Sequence, residues 1–119
     1  MTANITGNVI NNCQNEQGNA ASGIALDTYL NLTSTIANNS LSDNVNPGVA
    51  VGFFTSGNPT ACLTLTGNSS NTDPGYSLTN PGSGAFYLSP CNADLVNMGM
   101  ISGLITPVES CPEADLCPP

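Results

Sequence analysis

The chain contains no lysine, no arginine and no histidine. Nucleic-acid and polyphosphate binding both draw their affinity from side-chain cations, so neither class of partner has an electrostatic source in this sequence. The same absence removes the Ser/His/Asp triad, the lysine Schiff base, the Walker lysine and the imidazole metal ligand. Tryptophan is also missing, aromatic residues make up 5% and charged residues 7%, about a quarter of the ordinary share. The longest apolar run, from Val49 to Phe54 and interrupted by Gly52, is far too short to cross a bilayer. With eight acidic side chains and a formal charge of -8, the chain is also repelled by anionic membrane surfaces.

What is present points to a folded domain of turns and short strands. The 119 residues suffice for one core. Hydrophobic residues make up 39% and mean hydropathy is +0.03, above the range of disordered chains. Asparagine occurs 17 times, beside 12 each of glycine, serine and threonine. These residues satisfy backbone groups locally and favour bends over helices.

Five cysteines in a chain this short fit an oxidising setting. Cys111 and Cys117 enclose a short Pro-rich loop and are expected to pair; Cys62 and Cys91 form the second expected pair, leaving Cys13 free. No CxxC knuckle occurs, so no metal site and no cofactor is expected. Met1-Thr-Ala-Asn lacks both the charged and the apolar parts of a signal peptide. An exported chain would therefore take its signal from outside these residues, and the sequence reads as a segment of a longer protein.

A repeat organises the first ninety residues. Ile5-Thr-Gly-Asn8-Val-Ile10-Asn-Asn12 matches Ile36-Ala-Asn-Asn39-Ser-Leu41-Ser-Asp43, and Leu65-Thr-Gly-Asn68-Ser-Ser70 follows. In each, Asn stands three residues after an apolar position. Alternating stretches led by glycine, Gly23-Ile-Ala-Leu26, Gly48-Val-Ala-Val51 and Gly75-Tyr-Ser-Leu78, form a second set, and a third apolar piece closes each unit. Short alternation between Gly, Asn and Pro predicts strands buried on one face. Units of about thirty residues predict coils stacked in parallel, roughly 4.8 Å apart. Ile5, Ile36 and Leu65 would then form one interior column, and Asn8, Asn39 and Asn68 a ladder at a bend, where Asn tolerates the left-handed backbone. The alternative is an antiparallel β-sandwich in which the Gly-Asn and Asn-Asn pairs are hairpin turns. Residues 1–108 are assigned to the coils and a terminal cap strand, with Pro107 ending the ladder, and residues 109–119 to a Pro/Cys-rich tail.

These residues resemble the right-handed parallel β-helix repeat proteins of bacterial surfaces, including autotransporter-like passengers with Asn-rich ITGNxIxN coils. Ile5-Thr-Gly-Asn8-Val-Ile10-Asn-Asn12 and Ala61-Cys-Leu-Thr-Leu-Thr-Gly-Asn68 carry the likeness, and Asn97-Met-Gly99-Met-Ile-Ser-Gly103-Leu-Ile-Thr is similar to the end of such a repeat region. The resemblance implies an exported, extracellular or cell-surface segment with a structural or adhesive role, and it transfers no catalytic residue. The partners it implies are further coils of a parent chain and a host or environmental glycan or surface protein, with no nucleic acid and no direct membrane insertion.

Other chemistries suggested by single residues have plainer readings. Glycoside cleavage needs two carboxyls about 5–10 Å apart, for which Asp27 and Asp43 are candidates, but single solvated carboxylates beside turns account for both. The acids are scattered and form no calcium loop. Thr33-Ser-Thr35 and Thr64-Leu-Thr66 have the form of water-ordering threonine rows, yet sit at different phases of the repeat. The Asn-x-Ser/Thr triplets follow from composition. Tyr29, Tyr76 and Tyr87, if aligned outward, would make a glycan-facing surface. The expectation is a non-enzymatic segment, with a carbohydrate-binding or carbohydrate-cleaving module as the alternative.

Overall fold

The computed structural model describes residues 1–11, 23–42, 51–70, 76–91, 98–112, 115, 117 and 118. Among them the fold is all β. One sheet contains β1 (Thr2–Thr6), β4 (Leu32–Ala37), β7 (Ala61–Thr66), β10 (Phe86–Ser89) and β12 (Thr106–Pro107), in that spatial order. A second contains β3 (Ile24–Thr28), β6 (Val51–Thr55), β9 (Tyr76–Asn80) and β11 (Met98–Gly103), and a third β2 (Val9–Asn11), β5 (Ser40–Ser42) and β8 (Ser69–Ser70), each also in chain order. Every pair of neighbouring strands among the described residues is parallel. Hairpins join only antiparallel strands, so the antiparallel sandwich is overturned.

The register joins like to like. Ile5 lies beside Ile36 and Ile36 beside Leu65, while Leu32, Ala61 and Phe86 form a second column and Ser34, Leu63 and Leu88 a third. Successive side chains of a strand point to opposite faces, so these columns share the inner face. Ile36, Ala61, Leu63 and Leu78 are fully buried and Phe86 nearly so. Together with Ile24, Leu32, Leu41, Leu65 and Leu88 they make one core. Each fully buried large apolar side chain contributes about 1.5–3 kcal/mol. Ser34, on the inner face of β4, is fully buried, and its Oγ has no hydrogen-bond partner among the described residues.

The bends between the first and third sheets depend on left-handed residues. Gly7, Asn38 and Gly67 occupy equivalent positions with φ of 69°, 56° and 63°. This conformation is free for glycine and tolerable for asparagine. The left-handed residue therefore precedes each ladder asparagine, correcting the expectation that the ladder residues themselves turn the chain.

Two further expectations change. Glycine alignment places the second strand of the middle unit at Gly48–Val51, whereas Ile24 pairs with Val51 and Leu26 with Phe53, which puts the strand at Val51–Thr55. The shift follows from unequal connections: the offset is 31 residues from Ile5 to Ile36 and 29 from Ile36 to Leu65, but 27 from Ile24 to Val51. Pro107 lies within β12, beside Leu88, at the outer edge of the first sheet. An edge strand tolerates proline because one side of it needs no N–H donor.

Candidate functional site

Asn8, Asn39 and Asn68 come together in one column at the bend. The Asn39 Oδ1 accepts from both the backbone N–H and the Nδ2 of Asn8, each at 3.0 Å. The Asn68 Oδ1 accepts from the Asn39 backbone N–H at 3.1 Å and from its Nδ2 at 2.9 Å. Two further amide hydrogens return to the previous unit, from Asn39 Nδ2 to the Ile5 carbonyl at 2.9 Å and from Asn68 Nδ2 to the Ile36 carbonyl at 2.8 Å. Asn39 is 1% exposed, so this closed set of bonds meets the need of a buried amide for partners on both ends. The column links the first and third sheets at their bend, and both ends of the buried Asn39 amide are fully engaged in it.

A second buried polar column closes the opposite bend, and sequence reasoning missed it. Thr28 lies beside Thr55 at the end of the second sheet's strands. Thr55 Oγ1 donates to Asn80 Oδ1 at 2.6 Å, and Asn80 Nδ2 donates to the carbonyls of Gly84 and Leu104, both at 3.0 Å. Thr28, Thr55 and Asn80 are all buried. The available signal was the polar residue two positions after an apolar one in each strand: Leu26 to Thr28, Phe53 to Thr55, Leu78 to Asn80.

The disulfides differ from the expected pairs. Cys62 bonds Cys111 and Cys91 bonds Cys117, with Cα–Cα distances of 5.6 and 5.5 Å. The expected pairs, Cys111–Cys117 and Cys62–Cys91, rest on nearness along the chain. In the fold, the chain after Val108 doubles back, so Cys111 meets Cys62 on the face of the first sheet opposite the core. Val108 is fully buried and its N–H donates to the Leu88 carbonyl at 2.8 Å. Ser89 Oγ donates to the Glu109 carbonyl at 3.1 Å, and the Glu109 N–H to the Asp115 carbonyl at 2.8 Å. The result is a strap pinned to the sheet at two covalent points. Cys13 lies outside the described residues. Two disulfides fit an oxidising, non-cytoplasmic environment. Among the described residues no helix is long and apolar enough to cross a membrane.

The three tyrosines stand in different parts of the fold and share no register column. Tyr29 stands in the bend between β3 and β4 and is 72% exposed, Tyr76 opens β9 in the second sheet, and Tyr87 lies in β10 of the first, half-buried. The expected aligned row fails because these positions belong to different parts of the repeat. Thr35 and Thr64 are register partners, but Thr33 faces Cys62 and Ala37 faces Thr66, so the two threonine doublets are offset by two residues.

Of the carboxylate pair, Asp27 accepts from Ser56 Oγ at 3.2 Å in an exposed setting, and Asp43 lies outside the described residues. Among the described residues no three His, Cys, Asp or Glu side chains gather where they could hold a metal ion. A groove of about 310 Å³ lies on the strap side of the first sheet, near the bend at Asn31. Its lining includes Thr33, Thr60, Tyr87 and Pro112.

No family model matches this chain, and no curated protein or solved structure matches it.

Proposed function

We propose that the chain is a segment of a right-handed parallel β-solenoid in an exported bacterial surface protein, with a structural or adhesive role and no catalysis. The observation that carries this reading is the in-register stacking of successive units across three parallel sheets, with asparagine over asparagine and Ile36 between Ile5 and Leu65. Such stacking can be extended without limit by adding units, which is how a stiff spacer is made. Five strands at roughly 4.8 Å spacing give a stack only about 19 Å deep, so the rod role belongs to a longer assembly. The outer strand β1, Thr2-Ala-Asn-Ile-Thr6, is the first-sheet edge and carries no charge. Free edges are ordinarily guarded by charge, proline or a bulge, and this bare edge suits pairing with a further parallel strand. Excess carboxylate without cations keeps the sides soluble and resistant to non-specific association.

Carbohydrate is the ligand class that the alternative reading shares with the adhesive one. The experiment that tests the proposal combines polysaccharide binding with a reducing-sugar assay on the same panel of neutral and acidic polysaccharides. Binding without turnover is the expected result. Turnover abolished by Asp27→Asn or Asp43→Asn would overturn the non-catalytic reading.

A further inference from the structure

The groove beside the strap has a definite construction. Thr33, Cys62 and Tyr87 are register partners on β4, β7 and β10, so three neighbouring strands supply its floor. Pro112 supplies a wall, and its neighbour Cys111 is bonded to Cys62 of the floor. At the bend, Asn31 Oδ1 accepts the Thr60 N–H at 2.8 Å, which fixes the Asn31 amide and leaves its Nδ2 hydrogens to donate. Thr33 and Thr60 add two hydroxyls, each able to donate and accept.

The chemistry of this lining selects by charge. In a chain with eight acidic residues, none of the described lining residues is acidic, and none of them bears a cationic side chain. The Met1 amine reaches the groove's edge and already donates to the Asn31 carbonyl at 3.2 Å. A cation entering the groove meets no carboxylate among the described lining residues, and an anion is repelled by the field of the whole chain. What remains is a neutral ligand rich in hydroxyls with an apolar face to lay on an aromatic ring. About 310 Å³ is the small end of ligand pockets.

We propose that this groove binds a neutral pyranose unit, with the Tyr87 ring and Pro112 against the sugar's C–H face and Asn31, Thr33 and Thr60 taking its hydroxyls. The Cys62–Cys111 bond is then a part of the site, because it holds the Pro112 wall against the floor. The inference rests on the adhesive reading for its biological setting and on the groove alone for its geometry.

Saturation-transfer NMR on the intact, oxidised protein tests it, using D-glucose, D-galactose, N-acetyl-D-glucosamine and their disaccharides, with D-glucuronate as the anionic comparison. At least one neutral sugar should receive saturation while D-glucuronate does not. Tyr87→Ala should weaken binding roughly three- to tenfold and Tyr87→Phe should preserve it. Thr33→Val, which removes a hydroxyl at nearly constant volume, should weaken binding in a protein whose circular dichroism is unchanged, and so decides the matter should Tyr87→Ala fail to fold. The Cys62→Ala/Cys111→Ala pair should lose most of the signal. Absence of saturation with every neutral sugar would overturn the proposal while leaving the structural role standing. Binding unchanged in Thr33→Val and in the cysteine pair would also overturn it, by placing the adhesive surface elsewhere.

Discussion

Replacing Asn39 with alanine should be the most damaging single change in the asparagine column. Its side chain takes part in four hydrogen bonds: two accepted from Asn8, one donated to Ile5 and one donated to Asn68. At about 1 kcal/mol net each, their loss sums to about 4 kcal/mol. Asn8 is exposed and water can replace its lost partner, whereas the buried groups cannot be rehydrated so readily, giving an expected loss of about 2–4 kcal/mol. The side chain of Asn8, by contrast, makes two bonds in an exposed or part-buried setting, to Asn39 and to the Thr6 carbonyl, and its removal should cost about 1 kcal/mol or less. Asn68, partly exposed and with three side-chain bonds, falls between them. Urea unfolding at a common slope of about 1–3 kcal/mol per molar would separate the three by midpoint, with Asn39→Ala lowest by about 1 M or more. Equal midpoints for Asn39→Ala and Asn8→Ala would refute the assignment of stability to the closed hydrogen-bond set.

Further outcomes follow from single positions. Ser34→Ala removes a buried hydroxyl without a partner among the described residues and should stabilise the fold by about 1 kcal/mol in the same urea titration. Gly67→Ala should destabilise by about 1–3 kcal/mol, since φ is +63° and the new Cβ would collide with the Asn38 side-chain oxygen; Asn38→Gly, at an equivalent bend, should be within about 1 kcal/mol of wild type. The disulfides span 49 and 26 residues, and loop-closure entropy assigns them about 4 and 3.5 kcal/mol. Thermal melting should therefore show a larger drop for Cys62→Ala/Cys111→Ala than for Cys91→Ala/Cys117→Ala.

The parts of this fold legible in the sequence are those where stacking forces neighbours to be alike. Parallel units in register place Asn39 directly between Asn8 and Asn68, so the three-residue offset from Ile5, Ile36 and Leu65 recurs at the level of the sequence. The second sheet was less legible because its spacing from the first varies between units, and a glycine at position 48 imitates the ones at 23 and 75 while the strand begins at Val51. The column of Thr28, Thr55 and Asn80 mixes hydroxyl with amide, so identity along the chain gives no hint of it. The disulfides and the groove depend on the strap folding back across three strands, a contact over 49 residues that nearness along the chain cannot reveal.

The central claim is that like positions of consecutive units lie side by side in parallel. Methyl-resolved NMR on the labelled protein measures this directly: the account predicts cross-peaks from Ile5 to Ile36 and from Ile36 to Leu65, with a slowly exchanging Asn39 side-chain amide. Cross-peaks joining these strands to neighbours running in the opposite direction, with a freely exchanging Asn39 amide, would contradict it.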